Sequence, residues 1–273
     1  LKMNNFRGTL PNSLFNCTNL KQLNLLDNSF HGNMTDMDFS KLQELTMLDL
    51  GYNYFTGQLP KSLYSCKSLK AIRLSQNNLG GQITSDMLAL QSLTFLAISS
   101  IGLTNISETL RILMHLKNLT VVVISLNFIN EELPNNVNPV GFQNVQLLGI
   151  DGCQLTGQVP LWLKKLHKLR VLDLTNNQLK GSIPSWLGTL PSLFSINLHD
   201  NLISGEFPQT LTALPALLHN FSLTDRTYPV LPIIRPNPLP MLLRDARRTY
   251  NQISNIQPMV DLHNNNLCCS IPA

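Results

Sequence analysis

Charge is scarce in this chain: only 13% of its 273 residues are Asp, Glu, Lys or Arg, and the formal balance is +4. Binding nucleic acid needs a continuous basic footprint. Here Lys and Arg are spread widely except between Arg226 and Arg248, so nucleic acid is not expected as a partner. Long hydrophobic runs are also missing. No stretch nears the roughly 20 apolar residues that cross a bilayer, and the N-terminus has no basic-plus-apolar signal pattern. Membrane attachment is therefore expected only through segments outside this sequence. Cys17, Cys66, Cys153, Cys268 and Cys269 are odd in number, so they cannot all pair. None has the CxxC-with-His spacing of a metal site, and no metal ligand is assigned. Cys17 and Cys66 recur in one local frame, NCTNL and SCKSL, which reads as a small buried apolar position. Catalytic signatures are absent too: there is no GxSxG, HExxH or GxxxxGKS. His199 beside Asp200 and Asp173 is the one acid/base neighbourhood, and polar surfaces produce such neighbours routinely. Neither an enzymatic activity nor a cofactor is expected.

What the chain has in abundance is Leu and Asn at fixed intervals. With LxxLxLxxNxLxGxIP as the frame, its Asn position falls at Asn4, Asn28, Asn53, Asn77, Ile101, Asn127, Cys153, Asn177, Asn201 and then Asn265. A period of 24 to 26 residues is one supersecondary unit per repeat. In LRVLDLTNN, Leu169, Leu172 and Leu174 face the core of a short strand, while Val171, Asp173 and Thr175 take the other face. The Asn ending each strand has donors and an acceptor for backbone groups of its own turn and of the next coil, which predicts a ladder along the stack. Cys153 is expected in that ladder as a small buried substitute. Gly and Pro in LKGSIP, FTGQLP, LTGQVP and ISGEFP mark a tight turn and a fixed φ, and short pieces such as SWLGTL return the chain. A single coil cannot bury its own leucines, so stability comes from stacking. The expected fold is an α/β solenoid of leucine-rich repeats: a right-handed superhelix with parallel strands on a concave face and short 3₁₀ or helical returns. Both ends lie within coils and lack a paired-cysteine cap, which reads as an excerpt from a longer ectodomain.

The frame divides the chain into repeats over residues 1–217 (about nine coils), an insertion over 218–257, and a resumed repeat over 258–273. After the coil at Leu193, the frame puts Asn220 and Ser222 where aliphatic residues belong, and it returns only with VDLHNNNL at Val260 to Leu267. An insertion of this length in a solenoid points to function. Pro229, Pro232, Pro236, Pro238 and Pro240 bias it to extended backbone, and five arginines face two aspartates within it.

The GxIP form of the repeat resembles the plant class of extracellular leucine-rich repeats, found in receptor-like kinases, receptor-like proteins and polygalacturonase inhibitors. Four stretches carry a narrower resemblance: LRILMHLKNLTVVVISLNFINEELP (Leu110 to Pro134), GFQNVQLLGIDGCQLTGQVPLWL (Gly141 to Leu163), GSIPSWLGTLPSLF (Gly181 to Phe194) and RTYPVLP (Arg226 to Pro232). They are similar to the phytosulfokine receptor group, with its tyrosine-sulfated glycopeptide (PSY) receptors and kinase-less receptor-like relatives. The resemblance implies an ectodomain on the apoplastic side of the plasma membrane. It would bind a small secreted peptide bearing sulfotyrosine, and a leucine-rich-repeat co-receptor kinase would then join. Any kinase domain is imported from the resemblance. The sequence departs from the family pattern at Cys269, which stands where the other coils have the turn Gly.

Alternation along the strands places Phe95, Ala97, Val121, Val123 and Leu147 on the open face as an apolar stripe, and an exposed stripe of this kind suggests a binding surface. Asp49, Tyr52, Arg73 and Gln76 form a polar group before it. Beyond it lie Asp173, Thr175, Asn197, His199 and Asp200, followed by the basic insertion with Arg226, Tyr228, Arg235, Arg247 and Arg248. An extended peptide is expected along these coils, with arginine pairing its sulfate or carboxylate oxygens. Asn16, Asn33, Asn105, Asn118 and Asn220 fit the N-glycosylation pattern. Two other readings share the scaffold: an immune receptor-like protein for a microbial protein or peptide, and an inhibitor of wall-degrading enzymes. The insertion argues against the inhibitor.

Overall fold

The computed structural model describes residues 1–138, 141–218, 233–235, 248–250, 253 and 256–271. Nine three-residue strands form one parallel sheet: β1 (Gln22–Asn24), β2 (Met47–Asp49), β3 (Ala71–Arg73), β4 (Phe95–Ala97), β5 (Val121–Val123), β6 (Leu147–Gly149), β7 (Val171–Asp173), β8 (Ser195–Asn197) and β9 (Met259–Asp261). Each pairs in parallel with the next of the nine, and the remainder of every coil is the crossover between them. The register is equivalent throughout, so that Leu147 lies between Val121 and Val171. β9 pairs directly with β8, Ser195 opposite Met259, and the sheet continues across the interval that separates the two strands in sequence.

The repeat frame explains the core. Leu169, Leu172 and Leu174 are buried on one side of β7 together with their equivalents in the coils of β2 to β8, while Leu20 before β1 and Val260 and Leu262 at β9 are half-buried. 3₁₀ turns return the chain at Lys61–Ser65, Leu161–Lys165 and Ser185–Thr189, each entered through a Pro whose φ is already near the required value. One coil uses a true α-helix instead, α1 (Ile106–Leu113). Its first backbone N–H groups have no intrahelical acceptor. Asn105 and Ile106 donate theirs to the Glu131 carboxylate at 2.7 Å each, so the following coil caps the helix.

The asparagine ladder runs the opposite way to the expectation. Besides its own turn, each Asn bonds the preceding coil. Asn177 Nδ2 donates to Leu174 O of its own strand end and to Ile150 O of the coil before, at 3.0 and 2.9 Å, and its Oδ1 accepts from Cys153 N and Leu155 N. The reason is the position of the side chain at the strand's end, beside the earlier coil's turn. Asn265 repeats the pattern with Leu198 O and Ile203 N, which locks β9's coil onto β8's. Cys153 fills its ladder position fully buried, as expected.

Candidate ligand-binding face

On the sheet face away from the leucine core, three polar or apolar zones follow one another. At the first coils, Asp49 and Arg73 are not open polar groups. They form a buried ion pair at 2.9 Å, with side chains 1% and 2% exposed. The Arg73 guanidinium also lies over the Phe95 ring, 5.4 Å from its centroid. Burial pushes the Asp49 carboxyl above its ordinary range, and Arg73 opposes that shift. A pair so enclosed holds neighbouring coils in register, since losing either partner would leave a buried charge.

The apolar stripe is where the sequence reading needs correction. Phe95, Ala97, Val121 and Leu147 are buried, and Val123 is half-buried. They belong to a second hydrophobic cluster with Met47, Ala71, Val171 and Phe194, and Ala216, Ile253 and Ile256 join it from the chain between β8 and β9. Two causes act together. Parallel strands about 4.8 Å apart stack like side chains in rows, and residues remote in sequence close over one end. As an exposed docking patch the stripe is therefore ruled out in this conformation.

The polar zone at β7 and β8 is real and partly unsatisfied. Asp173 is buried and accepts from Thr175 N at 3.2 Å, and Asn197 Nδ2 donates to it at 3.4 Å. Around this pair, Thr175 Oγ1, Ser195 Oγ and Asn197 Oδ1 are buried and have no hydrogen-bond partner among the described residues. Buried polar atoms are nearly always paired, so a group of three without partners calls for an explanation. Next to them, His199 Nδ1 lies 2.7 Å from Asp200 Oδ2, and the His199 ring stacks on His263 of the following coil. The repeat frame alone does not mark Ser195 or His263 as site residues. Ser195 could have been found from strand alternation, whereas His263 needed the β8–β9 pairing.

Arg226, Tyr228, Arg247 and Asn220 lie outside the described residues. Arg235 and Arg248 end and begin two antiparallel strands, Ile233–Arg235 and Arg248–Tyr250, and are register partners. Among the sequons, Asn16, Asn33 and Asn118 are exposed. Asn105 is half-buried with a left-handed backbone, and its side chain accepts from Glu108 N at the start of α1. Cys269 has φ +73, the left-handed conformation that Gly181 and Gly205 take at the same repeat position with φ +80 and +88. No helix among the described residues is long and apolar enough to cross a membrane.

Comparison with known proteins agrees with this geometry. Family models described as leucine rich repeat match residues 143–217 and 44–66. Receptor-like protein 3 of Arabidopsis thaliana is 44% identical over 245 residues, which cover 88% of this chain and 32% of that protein. Phytosulfokine receptor 1 of the same plant is 41% identical over 85 residues, 31% of this chain and 8% of the receptor. The chain thus spans about a third or less of the length of these relatives. Among solved structures, the Arabidopsis receptor kinase HAESA, in complex with the peptide hormone IDA and the co-receptor SERK1, superposes with a TM-score of 0.68 at 29% identity. That match covers 78% of this chain and 35% of HAESA. A TDR receptor matches with a TM-score of 0.66 at 27% identity, covering 79% of this chain and 41% of its own. The chain is a plant-type leucine-rich-repeat solenoid with homologues among receptor-like proteins and phytosulfokine receptors.

Proposed function

We propose that the chain is the ligand-binding part of a plant cell-surface receptor of the phytosulfokine and PSY receptor group, facing the apoplast. Its ligand is a small secreted peptide bearing sulfotyrosine. The observation that carries the reading is the polar end of this sheet face, where Thr175 and His199 are half-buried beside Asp173 and Asn197. An extended peptide has backbone donors and acceptors to meet such side chains. The relatives favour a peptide: HAESA is solved with a peptide hormone and a co-receptor, and two phytosulfokine receptors match part of this chain.

In this reading the peptide crosses the polar zone of Asp173, Thr175, Asn197 and His199 toward the insertion at 218–257. Phe95, Val121, Val123 and Leu147 flank that zone on the same sheet face. Arg226, Arg235, Arg247 and Arg248, with Tyr228, recognise the sulfate, because guanidinium offers forked donors to such oxygens. A leucine-rich-repeat co-receptor kinase then docks on the complex, and Asn16, Asn33, Asn105, Asn118 and Asn220 are glycan acceptors. The test is peptide binding by the complete ectodomain with Arg226, Arg247 and Arg248 replaced by Ala. The expected result is at least about tenfold more loss for a sulfated peptide than for its unsulfated form. Equal loss for both would remove these arginines from sulfate recognition.

A further inference from the structure

Pairing of β8 with β9 brings together side chains that are 64 positions apart in sequence. His199 and His263 occupy the same place in successive repeats, two residues beyond the ends of β8 and β9. Their rings stack with centroids 4.3 Å apart and planes 12° from parallel. Each Nδ1 faces a carboxylate: His199 lies 2.7 Å from Asp200 Oδ2 and His263 2.6 Å from Asp261 Oδ1. Asn264 donates its amide to the other oxygen of Asp200, which ties that carboxylate to a side chain of the following coil. One nitrogen from each ring and one Asp200 oxygen lie within 4.8 Å of one another.

We propose that His199, His263 and Asp200 form a binding site for a divalent transition-metal ion of the zinc or copper class. The donor set decides the class. Two imidazoles and one carboxylate suit zinc, copper or nickel, whereas calcium and magnesium take oxygen ligands almost entirely. The donor atoms are near enough to converge on one ion once the two stacked rings open. Tetrahedral zinc with bonds of about 2.0–2.1 Å holds its ligand atoms roughly 3.3 Å apart. The cluster must therefore contract by about 1.5 Å at most. His263 is 62% exposed, so turning its side chain supplies that movement without shifting the strands. Asp261 adds the outer carboxylate that commonly orients a metal-bound imidazole. Three protein ligands leave one position for water or for a donor group of an incoming molecule.

The site does not depend on the peptide reading. A metal here would tie the coil of β9 to the coil of β8, at the point where the chain re-enters the repeat.

The test is titration of tag-free purified protein with zinc chloride by calorimetry, with calcium chloride as the comparison. Wild type should bind about one zinc and no calcium up to about 1 mM. His199→Ala and His263→Ala should each weaken zinc binding at least about tenfold. His31→Ala should bind as wild type does, because His31 is exposed and remote from the cluster. Because His263 is largely exposed, His263→Ala should keep the wild-type far-UV spectrum, so its loss of binding reports the ligand. Zinc should also raise the thermal midpoint of wild type and leave that of His263→Ala unchanged. The proposal is overturned if wild type takes up no zinc at about 1 mM, or if His263→Ala binds it with wild-type affinity.

Discussion

Replacing Asn177 by Ala removes one rung of the ladder and nothing else of consequence, since the side chain is buried between two coils. In the intact chain Asn177 Oδ1 accepts from Cys153 N and Leu155 N at 3.2 and 2.9 Å, and Nδ2 donates to Ile150 O at 2.9 Å. Those three backbone groups sit in a dry turn and would be left without a partner. An unsatisfied buried donor or acceptor costs about 1–3 kcal/mol. Some relaxation and water entry are expected, so the loss should be about 3–6 kcal/mol in total. Solenoid stability is a sum of coil and interface contributions, and this loss falls on the interface between the coils of β6 and β7. The assay is urea denaturation followed by far-UV circular dichroism, with Asn19→Ala as the control because Asn19 is exposed. The control should change stability by less than about 0.5 kcal/mol. A cost below about 1 kcal/mol for Asn177→Ala would refute the ladder as a structural element.

Two further perturbations probe single positions. Cys269→Gly should relieve a left-handed backbone, stabilising the last coil by about 0.5–1 kcal/mol after the extra chain entropy of Gly is counted. Slower hydrogen exchange across Asn266–Cys268 would register it, and faster exchange would contradict it. Burial pushes the thiol of Cys66 up to about 11 and that of Cys153 up to about 12. A raised thiol pKa withholds the reactive thiolate until pH rises through that value. Native protein treated with iodoacetamide near about pH 8 should therefore label exposed Cys17 and spare both buried cysteines until the chain unfolds. Mass spectrometry showing Cys153 labelled as fast as Cys17 would remove the dry ladder position assigned to it.

Much of the scaffold is legible in the sequence because each repeat position has one local job. Leu169, Leu172 and Leu174 identify the core face, Pro184 the entry to a 3₁₀ turn, and Asn177 and Asn201 the strand ends. The position of Cys269 in the frame also announces a strained turn, and its φ agrees. What could not be read depends on residues far apart. The apolar stripe from Phe95 to Leu147 has the alternation of an open face, yet Ile253 and Ile256 join the same buried cluster from beyond β8. Local periodicity carries no trace of that closure. The ladder's direction is not legible, because the repeat motif names the Asn but not the neighbour its side chain reaches. His199 reads in the sequence as one polar group among several. Its stacking partner His263 emerges only once β9 is paired with β8 across the intervening chain.

Binding of sulfated and unsulfated forms of one peptide to the complete ectodomain tests the central claim most directly. Thr175 and His199, half-buried beside Asn197, lie where the peptide backbone is proposed to run. A second arm therefore uses Asn197→Leu, which closes that polar site without changing any arginine. The account predicts tighter binding of the sulfated form to wild type and weakened binding of both forms to Asn197→Leu. Absence of binding by either form, or binding that ignores both sulfate and Asn197, would contradict it.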